Sequence, residues 1–520
     1  MGESTPPQHR PTSAGDSATR DSAATGAAIA EALKSRLDDP SIVVVEPSEL
    51  SARARDWWPL ARLREVRGDG QTVPAVLVLP TSTDQVSAVL RWASETGTPV
   101  VPRGLGSGVC GAVEPVANGI LLDMSHMGRV LDLDEVSQVV SVEAGIRGDV
   151  LEEYLNARSL TVGHYPQSIK LSTVGGWIAL SGAGQASPAF GAIEDHVAGL
   201  TVVLSDGTVV RLKPVSRTAS GPDLRRLFVG SEGTFGVVTE AALSCAPLAA
   251  GTSWQAFRYE TFEQVLDAAR EILRSGAGPS FSRGWDADDS ATAFRKLGLE
   301  SGCVGLVGLD VSAPGLLGRQ AVVAEVATRH GGLPLEERYG EHWWQHRLDA
   351  VDVFDAVMGP ARIQGSGAVL DTFEPSGLWR DIPAIYHAVD DALRTHAAEV
   401  RCHFSHVYPA GAALYFTFTI HGADDYAAEA TYTKCWAAAM EACIGAGGSI
   451  AHHHGIGRLK SGLLQKELGA GALETLRRIK AAVDPAGVLN PGTLFPPREG
   501  VIGKQPIESA RKGGRRGVAG

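Results

Sequence analysis

The sequence predicts an α+β protein with two main domains, and three observations support this. The chain has 520 residues, of which 44% are hydrophobic, enough for more than one core. Short apolar runs alternate with helical periodicities between residues 75 and 249. From about Ala250 the composition shifts to amphipathic helices separated by strands, which indicates a second unit.

The two ends of the chain are expected to be disordered tails. Residues 1–26 are rich in Ser, Thr, Ala, Pro and Gly, with too few large apolar side chains to offset the entropy of ordering. Residues 499–520 place basic side chains among glycines, which is typical of a solvated basic tail. Between them we divide the chain into residues 27–249, 250–445 and 446–498.

The first domain is predicted to begin with alternating helices and strands. Residues 27–37 and 83–96 have helical periodicity, and residues 75–79 and 98–101 are short apolar runs on either side of the second helix. The first helix leads to an apolar segment at 41–45. Further elements of this domain are strands at 120–123 and 138–143, a helix at 149–158, a hairpin at 197–212 and a short helix at 222–228.

A glycine-rich loop, residues 102–111, follows one of these strands and contains a formal G-x-G-x-x-G from Gly106 to Gly111. In a Rossmann fold such glycines open a helix, but Pro115 and Asn118 leave no room for one here. We interpret the loop as a concave turn whose backbone N–H groups bind an anion such as a diphosphate. A tight turn between strands without a ligand is the alternative.

Glycines and small hydroxyl residues concentrate again at 161–184 and 230–240. Each interior glycine costs about 0.5–1 kcal/mol relative to alanine, so such a concentration needs a reason. Close approach of the backbone to a large flat ligand is one explanation, and helix packing through small residues is the other. With the loop at 102–111, these segments predict a single site.

The second domain is predicted from longer periodic segments and ends in a histidine-rich loop. Its helices and strands are expected at 262–275, 304–312, 316–330, 379–394, 412–420 and 427–444. The sequence Ser-Ile-Ala-His-His-His-Gly-Ile-Gly follows at 449–457, and a helix at 472–483 closes the ordered chain.

Charge and cysteine content exclude several classes of protein. The net charge of −12 argues against nucleic acid as a partner, so a small-molecule or lipid substrate is expected. Six cysteines stand singly, as in a reduced cytoplasmic protein. No apolar run reaches the roughly 18–20 residues that cross a bilayer, so at most peripheral membrane contact is expected.

The motifs G-H-Y-P at 163–166, S-T-V-G-G-W at 172–177, I-E-D at 193–195, and the loops at 230–238 and 449–457 occur in an order that resembles one flavoenzyme family. This is the FAD-binding vanillyl-alcohol oxidase / p-cresol methylhydroxylase (PCMH) family, and residues 40–498 look like its ether-lipid branch, alkylglycerone-phosphate synthase. The resemblance implies a PCMH-type FAD-binding domain of two α+β subdomains at 27–249. It further implies an α+β cap domain at 250–445 and a C-terminal helical segment at 446–498 that returns to the flavin.

The resemblance also implies that four segments hold FAD without a covalent bond. These residues are Pro102, Arg103, Gly104, Leu105, Gly106, Ser107, Gly108, Gln167, Ser168, Ser172, Thr173, Leu180, Ser181, Gly182, Ala183, Glu232, Gly233, Thr234, Gly236, Val237 and Val238. Two of them depart from the family pattern. Leu105 replaces a glycine, and Gln167 stands where an acidic residue is expected.

The synthase branch exchanges the acyl chain of acyl-dihydroxyacetone phosphate for a fatty alcohol through an adduct on flavin N5, without net redox change. By resemblance its catalytic residues fall on Tyr415, Arg283, His452, His453 and His454. Neutral histidine or tyrosine moves protons near neutral pH, and arginine stabilises phosphate or an anionic flavin. Arg362 is the nearest candidate for the phosphate-binding arginine of the cap. A homodimer is also expected.

The main alternative is an FAD-linked oxidase or dehydrogenase of a small alcohol or 2-hydroxyacid, of the D-lactate or glycolate type. Such relatives typically hold a metal with a His-x6-His pair and a Glu-His-Gly segment. Here Ala413 stands seven residues after His406, and His453-His454 replaces Glu-His. Adjacent histidine side chains diverge, so no metal is expected.

Overall fold

The computed structural model describes residues 25–359 and 364–495. The predicted C-terminal tail and Arg362 lie outside the described residues, as does the predicted N-terminal tail except for its last two residues. Those two, Thr25 and Gly26, begin a helix that continues to residue 34. Within the described ranges, no helix has both the length and the apolar character needed to cross a membrane.

The first subdomain is a four-stranded sheet in the order β1-β2-β4-β3, where β2, β4 and β3 are parallel. Its elements are α1 (25–34), β1 (Val43–Val44), α2 (Pro47–Arg53), α3 (Pro59–Arg67), β2 (Val76–Val78), α4 (Thr83–Thr96), β3 (Val100–Arg103) and β4 (Ile120–Asp123). Helix α4 has the predicted bounds, because the Ser82 hydroxyl caps its start and Gly97 ends it with a left-handed backbone. Residues 104–119, all described, contain no helix, which confirms that the glycine loop is not a Rossmann loop.

The second subdomain is a five-stranded antiparallel sheet in the order β5-β6-β10-β8-β9. Its elements are β5 (Val130–Asp134), β6 (Val139–Glu143), α5 (Gly148–Asn156), β7 (Leu160–Thr161), α6 (Val174–Leu180), α7 (Ser187–Phe190), α8 (Ile193–His196), β8 (Val197–Val203), β9 (Val209–Leu212), α9 (Arg225–Phe228), β10 (Val237–Ser244) and β11 (Ala246–Pro247). The β8–β9 hairpin turns through Asp206 and Gly207 as predicted, and Gly207 has a φ of 82°. Strands β7 and β11 pair separately.

The remaining strands form an eight-stranded antiparallel sheet, the cap sheet, in the order β15-β12-β14-β13-β18-β19-β16, with β17 beside β19. Its strands are β12 (Thr252–Tyr259), β13 (Phe281–Trp285), β14 (Cys303–Asp310), β15 (Leu333–Leu335), β16 (Ala368–Phe373), β17 (Ser376–Leu378), β18 (Glu399–Val407) and β19 (Gly411–His421). The helices are α10 (Phe262–Arg274), α11 (Ala287–Ala293), α12 (Leu316–Arg329), α13 (Arg338–His346), α14 (Ala350–Met358), α15 (Ile382–Arg394) and α16 (Asp425–Gly445). Helix α15 begins three residues later than predicted, with Pro383 in its first turn.

The last described segment contains α17 (Leu464–Leu468) and α18 (Ala470–Val483) and then returns to the first subdomain. The Val100 N–H donates to the carbonyl of Val488 at 2.8 Å, and the Asn490 N–H donates to the carbonyl of Val100 at 2.8 Å. The Asn490 side-chain amide donates to the carbonyl of Glu232 at 2.7 Å. The C-terminal segment therefore reaches the base of the glycine loop.

Candidate functional site

The site is a cavity of about 570 Å³ between the glycine loop and the polar face of the cap sheet. All but two of the residues predicted to hold FAD line it. The exceptions are Ser181, whose hydroxyl donates to Glu194, and Thr234, whose buried hydroxyl donates to the carbonyl of Ser231. The predicted segments therefore meet in one place.

Arg103 organises the glycine loop at the carboxyl edge of β3 and β4. Its guanidinium donates to the carbonyls of Gly104 at 3.0 Å and Leu105 at 2.9 Å, and to the carboxylate of Asp123 at 2.9 Å. Gly106 has a φ of 71°, and a Cβ there would lie 2.7 Å from that guanidinium. The loop carbonyls are thus satisfied by the protein, and the glycines permit the close packing.

The second glycine-rich stretch serves both packing and the cavity. Thr173 caps α6 by accepting the N–H of Gly176, and a Cβ on Gly104 would lie 2.4 Å from the Thr173 hydroxyl. A Cβ on Gly175 would lie 2.9 Å from the methyl of Ala144, which is helix packing through a small residue. Gly175 and Gly176 also line the cavity, so both sequence explanations apply here.

Four of the predicted catalytic residues line the same cavity: Tyr415, Arg283, His453 and His454. His452 does not line it. The rings of Tyr415 and His454 have centroids 5.6 Å apart, and those of Tyr415 and His453 are 6.0 Å apart. The cap sheet supplies Tyr415 from β19 and Arg283 from β13, whereas the histidines come from the loop after α16. A Tyr415 that served only the core, or an Arg283 that was only a surface charge, would not account for this convergence.

Arg283 is a buried cation, and no carboxylate of the described residues lies within salt-bridge distance of it, although Asp289 is close enough to act on it electrostatically. It is 6% exposed, its Nε has no hydrogen-bond partner among the described residues, and its guanidinium carbon lies 4.8 Å from the ring centroid of Trp343. Burial lowers the pKa of Arg283 to about 10, so it stays protonated at neutral pH. Since burying an unpaired charge is costly, this cation suits a site that receives an anion.

A fully buried ion pair holds the histidine loop from the cap side. Lys460 Nζ lies 2.8 and 2.9 Å from the two carboxylate oxygens of Glu374, and both residues are 0% exposed. The same carboxylate accepts the backbone N–H groups of His452 at 3.3 Å and His454 at 3.2 Å. Burial raises the pKa of Glu374, but Lys460 and His454 outweigh burial and lower it to about 2.

A second buried carboxylate holds the same loop from the FAD-binding side. Glu232 accepts the N–H of Ile456 at 2.7 Å and that of Gly457 at 2.8 Å. Burial raises the pKa of Glu232 to about 7, although these two N–H groups oppose that shift. The backbone of residues 452–457 is therefore held by acidic residues from two different parts of the chain.

His406 joins two residues of the histidine run. Nitrogen atoms of His406, His452 and His453 all lie within 4.8 Å of one another, a spacing that could hold a metal ion. His406 contacts the Ser187 hydroxyl at 3.0 Å, and the Tyr408 hydroxyl lies 3.0 Å from His452 Nε2. Burial lowers the pKa of His452 to about 4 and holds the pKa values of His406 and His453 well below their usual range, so these imidazoles are neutral. The expectation of no metal stays a prediction.

Several polar residues of this region were not predicted from the sequence: Glu374, Lys460, Asp289, Arg401 and His403. Lys460 carried no distinctive signal, because Arg458, a second cation, stands two residues before it. Arg401 and His403 lie two residues apart on β18, which places both on one face of the strand, and both line the cavity. That strand was not predicted.

Comparison with known proteins identifies both halves of the chain. Residues 74–213 match the family described as "FAD binding domain", and residues 252–494 match "FAD linked oxidases, C-terminal domain". The uncharacterized FAD-linked oxidoreductase YgcU of Escherichia coli (strain K12) is 32% identical over 437 residues, 82% of this chain and 89% of that protein. Alkyldihydroxyacetonephosphate synthase of Trypanosoma brucei brucei is 30% identical over 478 residues, 85% of this chain and 76% of that protein.

Solved structures confirm the predicted fold class. A structure of an alkyldihydroxyacetonephosphate synthase has a TM-score of 0.74 at 22% identity and covers 89% of this chain and 84% of its own. A structure of p-cresol methylhydroxylase with substrate bound also has a TM-score of 0.74, at 16% identity, and covers 91% of this chain and 97% of its own. At these identities the likeness concerns the fold alone.

Proposed function

The chain belongs to the family of FAD-linked oxidases with a PCMH-type FAD-binding domain, and from that membership we propose that it exchanges the acyl chain of an acyl-dihydroxyacetone phosphate for a fatty alcohol. The observation that carries the proposal is the convergence of Tyr415, Arg283, His453 and His454 on the cavity lined by the FAD-binding loops. The 30% identity to a protein named alkyldihydroxyacetonephosphate synthase supports it.

The residues of the cavity fit FAD. Gly104 and Gly106 have no room for a Cβ, as expected where backbone must approach a diphosphate. Gly233 has a φ of 71°, and a Cβ there would lie 2.5 Å from Cγ of Pro102. Bound FAD would supply the redox-active and electrophilic isoalloxazine ring, whereas the protein supplies charge and proton transfer.

The polar residues have complementary roles in the exchange. Burial raises the pKa of the Tyr415 hydroxyl, so at neutral pH it donates a hydrogen bond or a proton. His453 is neutral and accepts a proton. Arg283 stabilises negative charge on the phosphate or on the reacting oxygen. Arg362, the predicted phosphate ligand, lies outside the described residues, and its role remains a prediction.

The apolar part of the cavity wall supports a lipid-like substrate. Trp57, Pro59, Val353, Phe354 and Leu370 line it. Val353 is 50% exposed and therefore lies where the cavity meets solvent. An alkyl chain that extends along this wall toward solvent would be bound more tightly by about 0.8 kcal/mol for each CH₂ group that it buries. Peripheral membrane contact, a cytoplasmic location and a homodimer remain predictions from the sequence.

The second candidate function is oxidation of a small alcohol or 2-hydroxyacid. Arg401 favours it, because it lines the same cavity as Arg283, and two guanidinium groups suit a short carboxylate substrate. The relative named FAD-linked oxidoreductase, at 32% identity, supports it as well.

One experiment separates the two candidates. Purified protein is first denatured and its flavin absorbance measured, and a colourless supernatant would contradict FAD binding. The holoenzyme is then incubated anaerobically with acyl-dihydroxyacetone phosphate and labelled fatty alcohol, or with 2-hydroxyacids and small alcohols. Label incorporated without lasting flavin bleaching supports exchange. Flavin bleaching by a hydroxyacid, with no label incorporated, would reject exchange in favour of oxidation.

A further inference from the structure

A carboxylate–imidazole pair lies on the cap wall of the cavity. Nδ1 of His403 is 2.8 Å from a carboxylate oxygen of Asp289, and the two side chains are only 15% and 13% exposed. Asp289 is placed by the start of α11, where the Asp286 carboxylate accepts the Asp289 N–H at 2.8 Å. The pair is therefore held by a capped helix on one side and by β18 on the other.

His403 faces the cavity between two aromatic residues. Strand register places it opposite Trp285 of β13 and Tyr415 of β19, in one row across the cap sheet. Its ring stacks on Tyr415 with centroids 4.8 Å apart and an interplanar angle of 20°. His403 lines the cavity, and of its two ring nitrogens only Nδ1 has a hydrogen-bond partner within the described ranges. Nε2 is thus the nitrogen available to a substrate.

The surrounding charges keep His403 neutral and Asp289 ionised. Burial lowers the pKa of His403; Asp289 opposes this, and Arg283 and Arg401 lower it further. Burial raises the pKa of Asp289, but His403, Arg401 and Arg283 outweigh burial and lower it. Tyr415 stacks on the imidazole, and its hydroxyl stays protonated at neutral pH. His406 also interacts electrostatically with His403, and burial keeps His406 neutral. The proton of the neutral imidazole therefore sits on Nδ1, bonded to Asp289, and Nε2 carries the lone pair.

We propose that His403 is the catalytic base that deprotonates a substrate hydroxyl, with Asp289 as its positioning residue. The O–H bond breaks, its electron pair stays on oxygen, and the proton binds Nε2, while the Asp289 carboxylate stabilises the resulting imidazolium. This role of His403 rests on the proposed function, and it applies to the exchange and to the oxidation alike. In the exchange the hydroxyl belongs to the incoming alcohol, and the proton ends on the departing fatty acid. In the oxidation the hydroxyl belongs to the alcohol being oxidised, and the proton passes to solvent.

The matched test replaces each member of the pair and one control. The test variants are His403→Gln and Asp289→Asn, and the control is His330→Gln. His330 forms an imidazole–carboxylate pair with Glu271 at 2.6 Å, and neither residue lines the cavity. For His403→Gln we expect turnover to fall by about 10²–10⁴-fold and the rise of kcat/KM with pH to disappear. FAD content and the affinity for an unreactive alcohol, measured by flavin absorbance, should change by less than about threefold.

A purely structural pair would give a different pattern: both variants would lose FAD or thermal stability, and the pH profile would keep its shape. Turnover within about threefold of the control, with the pH-dependent rise intact, would overturn the proposal.

A second readout does not need turnover. In ¹⁵N-histidine NMR, assigned with His403→Gln, we expect a non-protonated Nε2 on His403 and a shifted tautomer ratio in Asp289→Asn. A proton on Nε2 of His403 in the wild type would refute the role of His403 as the base, whether or not the proposed substrates react. If the proposed substrates do not react but Nε2 is unprotonated, only the proposed function is rejected.

Discussion

Removing Lys460 should destabilise the protein by leaving Glu374 charged and unpaired in the interior. The pKa of Glu374 is lowered from 4.5 to about 2, mainly because Lys460 and His454 outweigh burial. Such a difference corresponds to about 3 kcal/mol of stability at neutral pH. Breaking a buried pair by removing one partner typically costs about 3–5 kcal/mol, which agrees in size. We therefore expect Lys460→Met to lower the free energy of unfolding by about 3 kcal/mol.

The sign of the pH dependence follows from the lowered pKa. A carboxylate whose folded pKa is depressed stabilises the protein above its unfolded pKa, near 4.5, and this contribution is lost as the pH falls through about 2. The difference between wild type and Lys460→Met should thus be full at neutral pH and shrink below about pH 4.5. Urea denaturation followed by tryptophan fluorescence, at neutral pH and near pH 4, measures it.

Two controls make this prediction refutable. Lys466 pairs with Glu441 on the surface, where the side chains are 56% and 49% exposed, so Lys466→Met should cost less than about 1 kcal/mol. The double variant Glu374→Gln/Lys460→Met removes both charges and should be more stable than Lys460→Met alone. The prediction is contradicted if Lys460→Met loses no more stability than Lys466→Met. It is also contradicted if the double variant loses as much stability as Glu374→Gln and Lys460→Met lose together.

Three further predictions concern the cavity. Gly104→Val should weaken FAD binding at least about tenfold, because its Cβ would overlap the Thr173 hydroxyl; unchanged flavin retention in a dilution assay would contradict this. Arg103→Met should also lower FAD affinity, because the loop carbonyls lose their donor, and Arg103→Lys should restore only part of it. Tyr415→Phe should lower turnover by about 10²-fold or more while bound FAD stays at the wild-type level; loss of FAD instead would assign Tyr415 a structural role.

Local sequence signals predicted much of the FAD-binding part of the chain. Helix α4 and the β8–β9 hairpin have their own capping and turn residues, so their positions depend little on tertiary contacts. The glycine segments were also predictable, because glycines and small hydroxyl residues are more concentrated there than in ordinary core sequence. The prediction that Ser181 and Thr234 line the cavity was wrong. Their sequence neighbours line it, but their own hydroxyls donate hydrogen bonds to other residues of the protein.

The cap wall was less predictable because its residues are paired through space. Glu374 and Lys460 are 86 positions apart, and nothing local marks either as half of a buried pair. Strand β18 was missed because Arg401 and His403 occupy its cavity face, where a core strand would have apolar side chains. Asp289 lies 114 positions before its partner His403 and, from sequence, looks like one of several acidic residues at a helix start.

The two carboxylates that hold the histidine loop limit how domains can be exchanged between members of this family. Glu232 belongs to the FAD-binding half and Glu374 to the cap, yet both accept backbone N–H groups from residues 452–457. A chimera that receives a foreign cap at residues 250–445 would keep Lys460 but exchange its partner. To transfer a new substrate specificity, the cap and the histidine loop must therefore be exchanged together, or the donor cap must have a glutamate at position 374.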